Sequence, residues 1–143
     1  MLDGTVLVRL QHAAERLFRT RPVLAAYAFG SRVSGAPRPD SDLDVGYYLD
    51  EDRRRDPLPI AEEMRLATEL SDAMGLNVDL RNLGGASLEL RGRVLEEGVR
   101  IYSGEPSARV ALERDLLARY HDYKDIFQQM HAVRLRAIAE RGF

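Results

Sequence analysis

Two aspartates separated by one leucine, Asp42 and Asp44, stand at the head of an apolar run that ends at Leu49. Residues two apart in an extended strand point to the same side, so both carboxylates would meet at one spot beside a core sheet. Unpaired, they repel each other. A hard cation removes the repulsion, because Mg2+ takes a few carboxylate oxygens and keeps its other positions for water and substrate phosphates. A third carboxylate would complete a two-ion site of the phosphoryl-transfer kind, and Asp79, inside an otherwise apolar strand-like segment, is the candidate. A D-x-D pair alone is more often a solvated loop or strand end, and Asp79 alone could be a strand-end charge paired to Arg81. The conjunction is what points to chemistry.

A second device lies just upstream, where the apolar run Val23–Phe29 is closed by Gly30 and Ser31. Glycine permits close backbone approach, and the turn after it exposes amide N–H groups plus a hydroxyl to an anion. The pair reads as a triphosphate cradle, against the plainer reading of a strand-terminating turn. Arg32 and Arg38 lie in the connection that would face a bound phosphate, and Arg32 is the first choice. Asp40 and Ser41, after Pro39, look like turn residues.

The elements that must position these residues alternate in type. Val6, Leu10, Ala14 and Leu17 have helical spacing, which predicts a helix over Val6–Phe18 that ends near Arg21-Pro22. Val23–Phe29 and Leu43–Leu49 are continuous apolar runs that suit strands buried on both faces. Pro59 suits a first helical position, and Ile60, Met64, Ala67, Leu70 and Met74 form a stripe that stops at Gly75. Asn77–Leu83 alternates, with Val78, Leu80 and Asn82 on one side and Asn77, Asp79, Arg81 and Leu83 on the other. Ser87 can cap a helix to about Glu97, Gly98 can end it, and Val99–Tyr102 can make a further short strand.

From Ala108 neither proline nor glycine occurs until Gly142, while Leu116, Tyr120, Tyr123, Phe127, Met130 and Ala137 recur at coiled-coil-like spacing. A long terminal helix follows. Its stripe, Tyr120 and Tyr123 included, is read mainly as core against its own domain; a docking surface for a helical partner is the lesser reading, stronger beyond Phe127. The pattern is α/β, in one domain spanning 1–143 with a core over about 22–104 and a C-terminal helix over about 107–140.

Composition narrows the function. At 143 residues, 45% hydrophobic and 31% charged, the chain is globular in type, and its formal charge of −2 disfavours a protein that tracks duplex nucleic acid. Without cysteine there is no disulfide, thiolate nucleophile or cysteine-zinc site. Lys124 is the only lysine among 21 basic residues, so phosphate contacts must come from arginine or backbone. An acid and an arginine near the start interrupt any secretory segment, and no long uninterrupted apolar run occurs, so a cytoplasmic protein without membrane association is expected.

Taken together, Gly30-Ser31, ten intervening residues, Asp42-Leu43-Asp44 and then Asp79 resemble the signature of the DNA polymerase beta-like nucleotidyltransferase superfamily. The wording GSRVSGAPRPDSDLDV is similar to the minimal nucleotidyltransferase (MNT) group, whose members include antitoxins paired with HEPN-domain ribonuclease toxins. The resemblance implies a small mixed β-sheet flanked by helices and transfer of AMP from ATP, with pyrophosphate leaving. In that scheme Asp42 and Asp44 hold two Mg2+ ions, Gly30 and Ser31 hold the outer phosphates, and Asp79 ligates one ion and takes the proton of the acceptor hydroxyl. The implied acceptor is a tyrosine of the HEPN toxin, whose modification disables RNA cleavage.

Two alternatives keep the fold and change the outcome: a small-molecule acceptor, as in the aminoglycoside nucleotidyltransferases, or an antitoxin that acts by occlusion without catalysis. The first would need a second domain to build a drug pocket. Arg114 and His121 mimic the spacing of a HEPN ribonuclease, but that fold is all-helical and strand-like runs fill the first two-thirds of this chain. His12, His121 and His131 are read as solvated.

Overall fold

A computed structural model describes residues 3–34 and 42–141. Four strands, β1 (Val23–Phe29), β2 (Leu43–Leu49), β3 (Val78–Asn82) and β4 (Val99–Ser103), form one mixed sheet in the order β3-β2-β1-β4. β1 runs antiparallel to both β2 and β4, whereas β3 lies parallel to β2. A parallel neighbour needs a crossover, and α3 (Ile60–Met74) supplies it.

One face of the sheet is covered by α1 (Gly4–Phe18) and α3. Asp3 accepts a hydrogen bond from the Thr5 amide at 2.8 Å, so α1 begins at Gly4, earlier than the apolar spacing alone marks. Leu10, Ala14 and Phe18 of α1 and Leu66, Leu70 and Met74 of α3 pack there on Ala26, Ala28, Val45 and Tyr47. Burying a side chain the size of Leu or Phe contributes about 1.5–3 kcal/mol, so this layer is the main source of stability.

On the other face, α4 (Leu88–Glu97) and α5 (Pro106–Glu140) cover Ala25, Tyr27 and Tyr48 through Val94 and Leu116. A Cβ at Gly92 would enter the Tyr120 ring, so the missing side chain is what lets α4 and α5 approach. The two cores, one on each side of a single sheet, make the α/β assignment and the mixed, helix-flanked sheet correct.

Three local expectations change. β3 ends at Asn82, whose side chain accepts from the Gly84 amide at 2.9 Å; Leu83 enters a one-turn 3-10 helix and is fully buried in the core on the α4/α5 side of the sheet. Gly30 leads into a four-residue helix, α2 (Ser31–Ser34), rather than a plain turn.

The α5 stripe is core only as far as Tyr120. Tyr123, Ile126, Phe127, Met130 and Val133 are 38–68% exposed, so the helix leaves its domain and continues for about 30 Å as an arm. Tyr123, Phe127 and His131 stack along it with ring centroids 6.2 and 6.3 Å apart. No described helix is long and apolar enough to cross a membrane.

Candidate active site

Sequence reading places a phosphate cradle at the end of β1 and carboxylates at the start of β2, and the strand pairing brings these two ends together. Phe29, the last residue of β1, is the register partner of Asp44, and Asp44 is in turn the register partner of Asp79 across the parallel pair. Adjacent strands lie about 4.8 Å apart, so the three residues make one short row across the sheet. Cross-strand partners share a face. Here it is the α4/α5 face, because Gly46, two residues on from Asp44, turns toward Leu83.

Gly30 has φ +87°, the left-handed region that costs an L side chain about 1–2 kcal/mol. A Cβ there would collide with Oδ2 of Asp44 and stand 3.1 Å from its Cγ. Glycine is therefore required twice, by backbone conformation and by contact with a carboxylate. Its carbonyl accepts from the Val33 amide at 3.1 Å, which winds the chain into α2 with Ser31 exposed and Arg32 half-buried. Arg38, Asp40 and Ser41 lie outside the described residues.

Asp44 is half-buried, whereas Asp42 and Asp79 are exposed. Burial raises the Asp44 carboxyl above its ordinary range, Asp79 and Asp42 raise it further, and Arg81 pulls in the opposite direction. Partial desolvation and two like charges therefore act together on one group.

These donors suit a hard divalent cation in their chemistry: oxygens only, alike in charge, on one face and at one strand end. The side chains do not close on a single point, however. Among the described residues no three His, Cys, Asp or Glu side chains are placed to hold a metal ion. The backbone row is formed.

One neighbour of this corner is invisible in sequence order. α4 comes back over the end of β1, so Arg93 and Glu97 line, with Phe29, Gly30, Leu90 and Val94, a recess of about 190 Å3. Nothing marks Arg93 among the chain's many arginines, since only α4's return to β1 brings it near Gly30. A larger cavity lies elsewhere. It has a volume of about 500 Å3 and sits at the far ends of β2 and β3, lined by Tyr48, Asp50, Asn82, Gly84 and Leu112 among others. His121 Nε2 lies 3.2 Å from Glu96 on the surface of α5 and takes no part in this corner.

The sequence profile of the family described as Polymerase beta, Nucleotidyltransferase matches residues 12–107, ending where α5 begins. Among solved structures, a toxin–antitoxin complex with AMP-PNP has a chain with a TM-score of 0.60 and 21% identity, over 93% of this chain and 98% of that one. A complex of tri-AMPylated Shewanella oneidensis HEPN toxin with MNT antitoxin matches with a TM-score of 0.57 and 19% identity, over 96% and 99%. A minimal nucleotidyltransferase structure matches with 27% identity and a TM-score of 0.55, over 69% of this chain and 95% of that one. At the lower identities the likeness is one of fold. A comparison with curated proteins found no match.

Proposed function

The chain belongs to the Polymerase beta, Nucleotidyltransferase family, and from that premise we propose that it transfers AMP from ATP to a tyrosine hydroxyl of a HEPN ribonuclease toxin, releasing pyrophosphate and silencing the toxin. The observation that carries the chemistry is the row Gly30, Asp44, Asp79: a backbone corner without a side chain, against one carboxylate and beside a second. The acceptor is supported by the neighbouring folds, which come from toxin–antitoxin complexes, one with AMP-PNP and one with an AMPylated HEPN toxin. The exposed arm of α5 supports a protein partner.

Each residue then has a task. Ser31 and the Gly30 backbone hold the outer phosphates, and Arg32 stands beside them. Asp42, Asp44 and Asp79 are the residues that would hold Mg2+, which when bound neutralises their charge and polarises the phosphate under attack. Asp79, exposed at the outer end of the row, takes the proton from the acceptor hydroxyl. A bond forms between the acceptor oxygen and the α-phosphorus, and the bond from that phosphorus to the bridging oxygen of the β-phosphate breaks. The electron pair leaves with pyrophosphate. Because ATP is the donor, the reaction belongs in the cytoplasm.

The test mixes labelled ATP, Mg2+ and the toxin encoded by the adjacent gene with the wild-type chain or with Asp42→Asn/Asp44→Asn. Label should reach the toxin only with wild type. Equal labelling by both proteins would remove the carboxylates from the chemistry, and label on a small hydroxylated compound in place of the toxin would move the acceptor. Toxin neutralised by the variant without label would make occlusion by the α5 arm the mechanism.

A further inference from the structure

The corner made by Gly30 has two sides. One meets Asp44, and the other opens to the recess that α4 closes with Leu90, Arg93, Val94 and Glu97. A group held on the Gly30 backbone therefore has the carboxylate row on one flank and the middle of α4 on the other.

Arg93 is exposed and forms neither a hydrogen bond nor an ion pair with the described residues. Its helix neighbour Glu97, four residues on and on the same face, lines the same recess without bonding to it. Arg32 follows Gly30 in α2, at the cradle itself, and three further cations are placed elsewhere. Lys124 lies 3.4 Å from Glu96 out on α5, and Arg109 is bound to Glu113. Arg81 is on β3 beside Asp79 and acts on Asp44, at the acceptor end of the row.

We propose that Arg93 is the cation that binds the β- and γ-phosphates of the nucleotide and stays with pyrophosphate as it departs. The proposal rests on the nucleotidyl-transfer reading above. A guanidinium presents a planar fork of donors that matches two phosphate oxygens at once, and it is fully charged at any working pH. From the recess it reaches the side of the cradle away from Asp42, Asp44 and Asp79, which is the side on which negative charge accumulates as the leaving group separates. Glu97, which lines the same recess, is the carboxylate that would compete with the phosphate for Arg93.

Direct binding of ligands to the full chain, with Mg2+ and without any toxin, tests this. ATP, inorganic tripolyphosphate and AMP are titrated in turn by calorimetry. Arg93→Ala should weaken ATP and tripolyphosphate by about 10- to 100-fold, the loss of a charge-assisted pair, and leave AMP unchanged. Arg93→Lys should keep part of the affinity, and Glu97→Gln should tighten tripolyphosphate a few-fold. Unchanged tripolyphosphate binding by Arg93→Ala would overturn the proposal, as would an equal loss for AMP. The two readings fail separately. If no toxin is labelled by wild type while tripolyphosphate binding still depends on Arg93, the transfer reading falls and the phosphate site stands. If Arg93→Ala labels toxin with an unaltered KM for ATP, the phosphate site falls and the transfer reading stands.

Discussion

Asp44 and Tyr47 lie three residues apart on β2, on opposite faces of the sheet, and the fold treats them in opposite ways. Tyr47 is fully buried under α1 and α3, and its hydroxyl donates to Glu63 Oε1 at 2.6 Å. Its ring packs against Phe18, with centroids 6.4 Å apart. Burial and the Glu63 carboxylate both hold the phenol neutral, so this polar atom is answered inside the protein. Asp44 meets Asp79 and Asp42, two groups of its own charge, with the bare backbone of Gly30 against it. One face of the strand is finished by packing. The other leaves a half-buried carboxylate among like charges, and that difference sets the two faces apart.

The contrast predicts that substitutions on the two faces separate activity from stability. The largest effect is expected for Asp42→Asn/Asp44→Asn: AMP transfer to toxin should fall by about 10³-fold or more, while the thermal midpoint holds or rises because like charges are removed. A melting point that falls with activity would make Asp44 a structural residue like Tyr47. Asp79→Asn should reduce transfer by about 10²- to 10⁴-fold, the range for losing a general base.

Gly30→Ala sits between the two classes. It must adopt a left-handed conformation costing about 1–2 kcal/mol and also push Asp44 aside, so a drop of about 3–8 °C in melting temperature should accompany loss of transfer. Wild-type activity in this variant would show that the close approach to Asp44 is dispensable.

Tyr47→Phe should leave transfer intact and destabilise by about 0.5–1.5 kcal/mol in urea, the usual net worth of a hydrogen bond. Its neighbour on the other face differs again: the Tyr48 hydroxyl is buried with no hydrogen-bond partner among the described residues, so Tyr48→Phe should be neutral or stabilising by up to about 1 kcal/mol. An equal loss for both variants would erase the distinction between answered and unanswered groups.

The last effect concerns alkaline pH. Burial pushes the Tyr48 phenol up to about 12, against an ordinary value of 10.0. The fold favours the neutral phenol, so this contribution is fully present below the unfolded value and is lost as pH rises through the folded one. Urea midpoints should therefore fall between about pH 10 and 12, and less steeply for Tyr48→Phe.

Legibility in the sequence followed the physics of each signal. Continuous apolar runs gave β1 and β2 at their observed bounds, because strands covered on both faces leave little room for polar residues. Gly75 closed α3 where the stripe stops. The alternation in β3 carried one residue too far, because at Asn82 a side-chain bond to Gly84 turns the chain and sends Leu83 into the core. The helical stripe of α5 gave its length but could not say where the protein beneath it ends, since spacing is the same over a core and over solvent. That boundary, at Tyr120, depends on where α4 and Gly92 stop.

By itself the sequence determined which residues could do chemistry: Gly30-Ser31, the Asp42/Asp44 pair and Asp79, with residue types that suit phosphate and hard cations. Tertiary structure alone decided how they meet. Hydrogen-bond register, which no local pattern encodes across the long connection and the α3 crossover, aligns Phe29, Asp44 and Asp79 in one row. Packing of α4 on the end of β1 then places Arg93 and Gly30 on one recess, a juxtaposition of residues far apart in the chain that follows from the burial of two apolar faces together.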